Sequence, residues 1–292
     1  MKPSWVSLAL VAPFLAGCLG SSAALPSAAH ATAGAAATRE RGAKPRASYV
    51  VVVIMENRDY DLVIGSSQAP YINGTLVPQA ALMTNSHAIT HPSEPNYLGL
   101  FSGSTQGVTD DSCPHSFSAV NAGQELIAAG LTFAGYSESM PYDGYTGCSS
   151  GEYARKHNPW VNFTNVPASS NLVYNGFVTP PSTLTIVVPN LCDDMHDCST
   201  QTGDTWLSKN LPAILKYDKK HDGLLILTWD EADPDSNGQN QIATLLIGPM
   251  VKPGKYAQKI THYSTLRTIE DIDGVACTAS ACQASDIKKI WR

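Results

Sequence analysis

No Lys/Arg-rich run marks a nucleic-acid surface, and the balance of 19 basic against 25 acidic residues, a formal charge of −6, argues against such a partner. The short cysteine pairs lack the C-x-x-C spacing of structural zinc sites, so zinc stands as the rival reading of the cysteines. No internal repeat is present, which removes solenoids and propellers. The apolar run near the N-terminus, Val6 to Leu15, is too short to span a bilayer. No linker interrupts Ser48 to Arg292, so residues 48–292 are read as one domain rather than two.

What is present begins with a targeting segment. Lys2 precedes the apolar run, and Leu15-Ala16-Gly17-Cys18 then resembles the bacterial lipobox, whose cysteine is lipidated. Ala29-His30-Ala31 offers an ordinary A-x-A cleavage site instead. Either route exports the protein, secreted or lipid-anchored through Cys18 to the outer face of a bacterial membrane. Residues 1–31 are thus read as the signal, 32–47 as a disordered tether and 48–292 as the catalytic domain. Of the seven cysteines, setting aside Cys18 leaves an even six, which favours disulfides in an oxidising compartment. Local pairing gives Cys192–Cys198 and Cys277–Cys282, and elimination leaves Cys113–Cys148, among the many connectivities that six cysteines allow.

Ser48 to Met55 is a continuous β-branched run of the kind buried on both faces of a parallel sheet, and it stops abruptly at Glu56 and Asn57. Gly223 to Trp229 repeats the pattern and stops at Asp230 and Glu231. Leu82 to Ala88, Leu131 to Tyr136, Leu184 to Pro189 and Ile242 to Gly248 read as further strands. Val120 to Ala129, Thr202 to Tyr217 with Asp204 as part of its cap and apolar face, and Thr265 to Ile272 read as helices, and a last short helix is expected in the tail. Strands alternating with helices make this an α/β fold: a single domain with a mainly parallel central sheet flanked by helices. Ligands of such sheets bind beyond the strand C-termini, which is where both acidic pairs fall.

Between those strands lies His91-Pro92-Ser93-Glu94-Pro95-Asn96-Tyr97, at the start of an apolar helical pattern. A helix N-terminus there is a seat for an anion, with Ser93 beside it; the plain alternative is that Ser93 caps the helix. Two acids side by side at a strand end repel unless a cation lies between them. Oxygen donors from Glu, Asn, Asp and Ser suit Mg²⁺, Ca²⁺ or Mn²⁺, while His91, His196 and His262 leave zinc open. A metal on a serine oxygen makes it a nucleophile, and histidines nearby can serve a leaving alcohol. Arg155, Lys156, His157 and Trp160 in the long loop from Pro141 to Pro167 suit the wall of an anion pocket, or a surface loop stapled by Cys148. Asp193, Asp194, His196 and Asp197 after the third strand suit a metal or proton-transfer site, or a solvated turn.

Taken in order, Glu56-Asn57-x-x-Tyr60-Asp61, Thr90-His91-Pro92-Ser93-x-Pro95-Asn96-Tyr97, Trp229-Asp230-Glu231 and Thr261-His262-Tyr263-Ser264 resemble the phosphoesterase family. That family joins bacterial acid phosphatases to phospholipases C within the alkaline phosphatase superfamily. Lys156-His157-Asn158-Pro159 and Asn190-Leu191-Cys192-x-Asp194-Met195-His196-Asp197 look like its small acid-phosphatase branch. The resemblance covers about Tyr49 to Asp273 and implies an alkaline-phosphatase-like fold. It implies Glu56, Asn57, Asp230 and Glu231 around one divalent metal ion and Ser93 as nucleophile. His196 and His262 would serve the phosphoryl oxygens or the leaving group, with His91, Asn96, Lys156 and His157 in the phosphate pocket. Asp230-Glu231-Ala232-Asp233-Pro234 departs from the Asp-Glu-x-x-Gly pattern of the long phospholipases, and the chain is short, so a phosphomonoesterase is expected. The substrate would be a small phosphorylated molecule, with no protein partner implied. The alternatives are a phosphodiesterase or phospholipase C acting on lipid headgroups, and a non-catalytic surface protein that kept the fold.

Overall fold

The computed structural model describes residues 47–235 and 239–292. The signal, the lipobox at Cys18 and the tether up to residue 46 lie outside them. Eight strands form the central sheet: β1 Tyr49–Met55, β2 Ala81–Met83, β3 Phe133–Ser137, β4 Asn171–Val173, β5 Leu184–Val188, β6 Gly223–Trp229, β7 Thr244–Ile247 and β8 Gly254–Tyr256. Their order is β8-β2-β7-β6-β1-β5-β3-β4, and only β7 runs against its neighbours. β1 lies at the centre, parallel to β5 on one side and to β6 on the other, with Met55 beside Trp229. That register brings the two acidic strand ends level.

Every residue of β1 and β6 is buried. Strand alternation splits β1 between two cores: Val50, Val52 and Ile54 face one, and Tyr49, Val51, Val53 and Met55 the other. Helices α1 Ser93–Ser102, α2 Ala122–Ala128 and α4 His262–Asp273 cover the first face through Leu98, Phe101, Leu126, Leu266 and Ile269. Helix α3 Thr200–His221 covers the second through Trp206, Leu207, Leu211 and Ile214. All ten residues of α1 are buried, so it is a core helix with no solvent face. It ends at Gly103, whose φ of +69° is the left-handed turn that closes a helix, and a Cβ there would meet Thr278 O at 2.3 Å.

The three disulfides are the expected ones, Cys113–Cys148, Cys192–Cys198 and Cys277–Cys282. Three local readings change. Ser199 caps α3 by accepting from Thr202 N, whereas the Asp204 carboxylate turns inward and accepts from Tyr71 N and Ile72 N. The expected strand from Leu82 to Ala88 breaks in two, because Ser86–His87 leaves the main sheet for a small one with Gln241–Ile242 and Ile260–Thr261. The tail ends in a bridge between Trp291 and Val251 rather than in a helix. Among the described residues, no helix is long and apolar enough to cross a membrane.

Candidate active site

The ends of β1 and β6 and the start of α1 meet at one point. Ser93 is the first residue of α1, with Pro92 in the capping position, so its side chain is free of the capping role. Its hydroxyl has Glu56 Oε2 at 3.1 Å and Glu231 Oε1 at 3.2 Å, two acceptors for one proton. Asn57 ties the two strand ends together: its N–H donates to Asp230 Oδ1 (3.1 Å) and its amide to Glu231 Oε1 (3.2 Å). The φ of Asn57 is +35°, a conformation that asparagine tolerates better than most residues. His91, after which comes the cis bond to Pro92, pairs through Nδ1 with Glu231 Oε2.

Behind Glu56 lies a drier layer. Tyr97 OH donates to Glu56 Oε1 and its ring stacks on His157 at 5.1 Å between centroids. His157 has Glu56 Oε1 at 3.2 Å on one ring nitrogen and Asp194 Oδ2 at 3.6 Å on the other. Asp194 is placed by its own loop: its carbonyl accepts from Glu56 N and its Oδ1 from His196 N. That loop turns at Met195, whose φ of +87° is a strained conformation for a side chain of its size. Met195 is buried where only a glycine fits beneath it, since a Cβ on Gly203 would meet Met195 Cγ at 2.4 Å. The turn leaves Asp194 facing inward and His196 outward. His196 Nδ1 lies 2.6 Å from Asp197 Oδ1, and its Nε2 lies 3.4 Å from Lys156 Nζ.

The charges here are crowded. Burial raises the pKa of Glu231 to about 7, and burial together with the Glu231 charge raises Asp230 to about 7. Burial likewise raises Glu56 and Asp194. Burial, helped by the Lys156 charge, lowers His157 well below the ordinary histidine value. A neutral imidazole has one proton for two acidic neighbours, so one of its nitrogens aims a lone pair at a carboxyl group. Asn57 Oδ1, Asp194 Oδ2, Asp230 Oδ2 and His157 Nε2 are buried with no hydrogen-bond partner. One ligand atom from each of Glu56, His157 and His196 falls within 4.8 Å of the others. Unpartnered lone pairs among buried acids are the donor set of a divalent cation. The residues fit a metal ion, and His157 adds a nitrogen that admits zinc as well as the harder ions.

Four expectations change here. Asn96 does not face the pocket. Its Oδ1 accepts from Ile89 N and Thr90 N, and its Nδ2 donates to Thr90 O and Pro92 O. All four hydrogen-bonding positions are filled, so none is left for a phosphate, and Asn96 latches the loop that carries His91 to Ser93. His262 is buried with Nε2 2.5 Å from the Asp230 backbone oxygen, and burial lowers its pKa to about 4; the contact props the strand end rather than the serine. His157 belongs to the buried layer and not to the pocket rim. Arg155 is spent on its own loop, on Asn162, Thr146 O and His115 O, and Trp160 packs over Gly135 of β3, where a Cβ would clash at 2.3 Å. Of the remaining expected residues, Glu56, Asn57, Ser93, Asp230, Glu231 and His91 meet within hydrogen-bond reach, with Lys156 and His196 beside them.

Two residues, Tyr97 and Asp111, escaped the sequence reading as parts of this site. Tyr97 marked the helix pattern, but nothing in its spacing showed that its hydroxyl reaches Glu56. Asp111 sits in a loop with no pattern, and its carboxylate accepts from Glu94 N and from Lys156 Nζ, both at 2.9 Å. Asp194 was visible as one acid among several after β5, without a sign of which would turn inward.

The central parallel sheet carries a serine and acids at its C-terminal edge, a fold shared with proteins of the alkaline phosphatase superfamily. Solved structures agree on the fold: a protein of that superfamily from Vibrio parahaemolyticus superposes with a TM-score of 0.54 at 10% identity, over 83% of this chain and 71% of that one. The C-terminal periplasmic domain of EcEptC from Escherichia coli gives 0.54 at 11% identity, over 81% and 84%. Residues 66–276 match the Phosphoesterase family, and the chain belongs to that family as a phosphoric ester hydrolase. It is 45% identical to a phosphatidylinositol-3-phosphatase of Mycobacterium tuberculosis, over 85% of this chain and 84% of that protein. It is 28% identical to an acid phosphatase of Aspergillus fumigatus, over 74% of this chain and only 53% of that longer protein.

Proposed function

We propose that the protein is an exported, metal-dependent phosphomonoesterase that works through a phosphoseryl enzyme. The observation that carries this reading is the Ser93 hydroxyl, buried at a helix start with one carboxylate oxygen on either side. Glu56, Asn57, Asp230 and Glu231 would hold the metal, with His157 as a further donor. When bound, the metal would lower the pKa of the serine hydroxyl and offset charge on the phosphoryl group.

The chain's own residues do the rest. Ser93 gives its proton to Glu231 or Glu56 as its oxygen forms the bond to phosphorus. Lys156 takes a phosphoryl oxygen. The bond from phosphorus to the leaving oxygen breaks, and that oxygen receives a proton from His196, whose ring Asp197 orients. Water then attacks the phosphoseryl group, losing its proton to His196, and Ser93 leaves with its proton restored. Tyr97, His157 and Asp194 hold Glu56 in place, Asn96 holds the loop before Ser93, and His262 holds the end of β6.

The similarity to a phosphatidylinositol-3-phosphatase supports a monoester over a diester, and a phosphorylated lipid headgroup is within the class of substrates. Three disulfides support an oxidising compartment, and export by the segment before residue 47, with or without a lipid on Cys18, belongs to the same proposal. The test is a paired assay of p-nitrophenyl phosphate and its phosphocholine diester, with acid quenching to trap phosphate on the protein. Turnover of the monoester, with label found on Ser93, is expected. Preferential turnover of the diester would replace this reading with a phospholipase C, and burst-free hydrolysis without label would remove the phosphoserine.

A further inference from the structure

The start of α1 offers an anion two donors, and an anion of the chain itself already holds them. Glu94 N–H, the backbone donor next to Ser93, gives its hydrogen bond to Asp111 Oδ1 at 2.9 Å. Lys156 Nζ gives its own to Asp111 Oδ2, also at 2.9 Å. A carboxylate that bridges a helix N-terminus and an ammonium makes the same contacts as two oxygens of a phosphoryl group, since the spacing of the oxygens is similar. The Asp111 side chain is about a quarter exposed, so it can leave without unfolding anything. Its charge also reaches the serine's acceptor, where it helps raise the pKa of Glu231. The loop that carries it is fastened to the loop of Lys156 by Cys113–Cys148, which keeps the carboxylate close after it has been displaced.

We propose that Asp111 is an internal competitor for the phosphoryl group, holding Glu94 N–H and Lys156 until substrate displaces it and reclaiming them to help inorganic phosphate leave. This rests on the phosphatase reading of the site. Its physical effect is to subtract from the binding of substrate and product alike. Uniform binding of that kind lowers KM without raising kcat, and once product release limits turnover it slows the enzyme. A carboxylate that competes for the same donors therefore trades affinity for release. The opposite role is a mere brace, in which Asp111 keeps Lys156 extended toward the site.

The two roles predict opposite signs in one variant. In Asp111→Asn the side chain keeps its size and loses its charge. As a competitor, its loss should tighten inorganic phosphate about tenfold, lower KM for p-nitrophenyl phosphate by a similar factor and leave kcat unchanged or reduced, one decade being about 1.4 kcal/mol. As a brace, its loss should weaken phosphate and raise KM. Phosphate affinity is read by calorimetry on the metal-loaded protein as well as by inhibition. Tighter phosphate in a protein without turnover would sink the phosphatase reading and keep the donor assignment. Unchanged or weaker phosphate in an active Asp111→Asn enzyme would overturn the proposal. Lys156→Met supplies the second arm: phosphate should weaken about tenfold in the parent, and the gain from Asp111→Asn should vanish in the double variant. A gain that survives without Lys156 would also overturn it.

Discussion

On one side of Ser93 stand Glu56, Tyr97, His157 and Asp194, none more than 2% exposed; on the other stand His91, Asp111, Lys156 and His196, between 20% and 39% exposed. Both walls contain acids and histidines, with Tyr97 added to one and Lys156 to the other. In the inner wall burial is the largest influence on their state, with neighbouring charges adding to it: together they push Glu56 and Asp194 up and His157 down, toward neutral forms that a cation would reverse. In the outer wall the same residue types reach water and each other. The pair His157 and His196 shows the difference most simply. Their rings lie 5.8 Å apart between centroids, yet one is sealed under Tyr97 and the other leans on an exposed Asp197. The inner wall is built to hold, and the outer wall to handle what comes and goes.

Ser93 stands between the walls, and its loss should show the largest effect. Ser93→Ala should reduce phosphomonoester turnover by about three orders of magnitude or more, with metal and phosphate binding retained, as nucleophile removal does elsewhere. Turnover above about a tenth of the parent would mean that the hydroxyl between the two carboxylates is not the attacking group. Next comes the outer wall. His196→Ala should lower kcat about a hundredfold while metal affinity stays put, the value of one general acid–base group. The loss should shrink with a substrate whose leaving group is a good one, such as a nitrophenolate. An equal loss on every leaving group would move His196 out of the proton transfer.

The inner wall should fail in a different way. His157→Gln should weaken the metal about 10- to 100-fold, as loss of a ligand or its support does, so that added metal restores much of the activity. Metal titration should raise the melting temperature of the parent protein through preferential binding to the folded state. If His157→Gln lost activity that no metal concentration returned, the division between the walls would break.

The smallest effect lies away from both walls and checks that their behaviour is local. Glu270 of α4 is buried, accepts from Thr278 N and Oγ1, and burial raises its pKa from 4.5 to about 7. A carboxyl raised in the folded state favours folding fully below its unfolded value and less as pH rises through the folded one. Melting temperature should therefore decline between about pH 4.5 and 7.5, and Glu270→Gln, which keeps an acceptor for Thr278, should flatten that decline by a few degrees. A slope unchanged in Glu270→Gln would assign the effect to other buried acids such as Glu94 and Asp273, which burial also raises to about 7.

Much of this was legible in the chain. Val50 to Ile54 and Leu224 to Leu227 announce strands buried on both faces, because such strands carry unbroken, β-branched or aliphatic runs of this length. Their ends announce the acids, and the sheet rule says where strand-end acids go. Closeness in the chain also pointed to the two short disulfides, among the many connectivities six cysteines allow, and both are formed. What the chain could not declare is the direction of side chains in irregular loops. Asn96 carries the same amide whether it binds a phosphate or its own backbone, and only the fold of residues 89–92 around it filled its four positions. The start of α1 looked like a free anion seat until the distant loop of Asp111 came to rest on it.

The sequence by itself determined the α/β order, the position of β1 and β6 at the centre, and the delivery of Glu56, Asn57, Asp230 and Glu231 to one edge. These follow from hydrophobic period and strand length, which are local properties read over a few residues. The tertiary structure decided which groups are dry and which are wet, and so what each can do. It sealed His157 under Tyr97, turned Asp194 inward at Met195, and set Asp111 across Glu94 N–H and Lys156. Those outcomes depend on contacts between segments dozens of residues apart. Desolvation and hydrogen-bond partners, which fix protonation and reach, exist only once those segments have met.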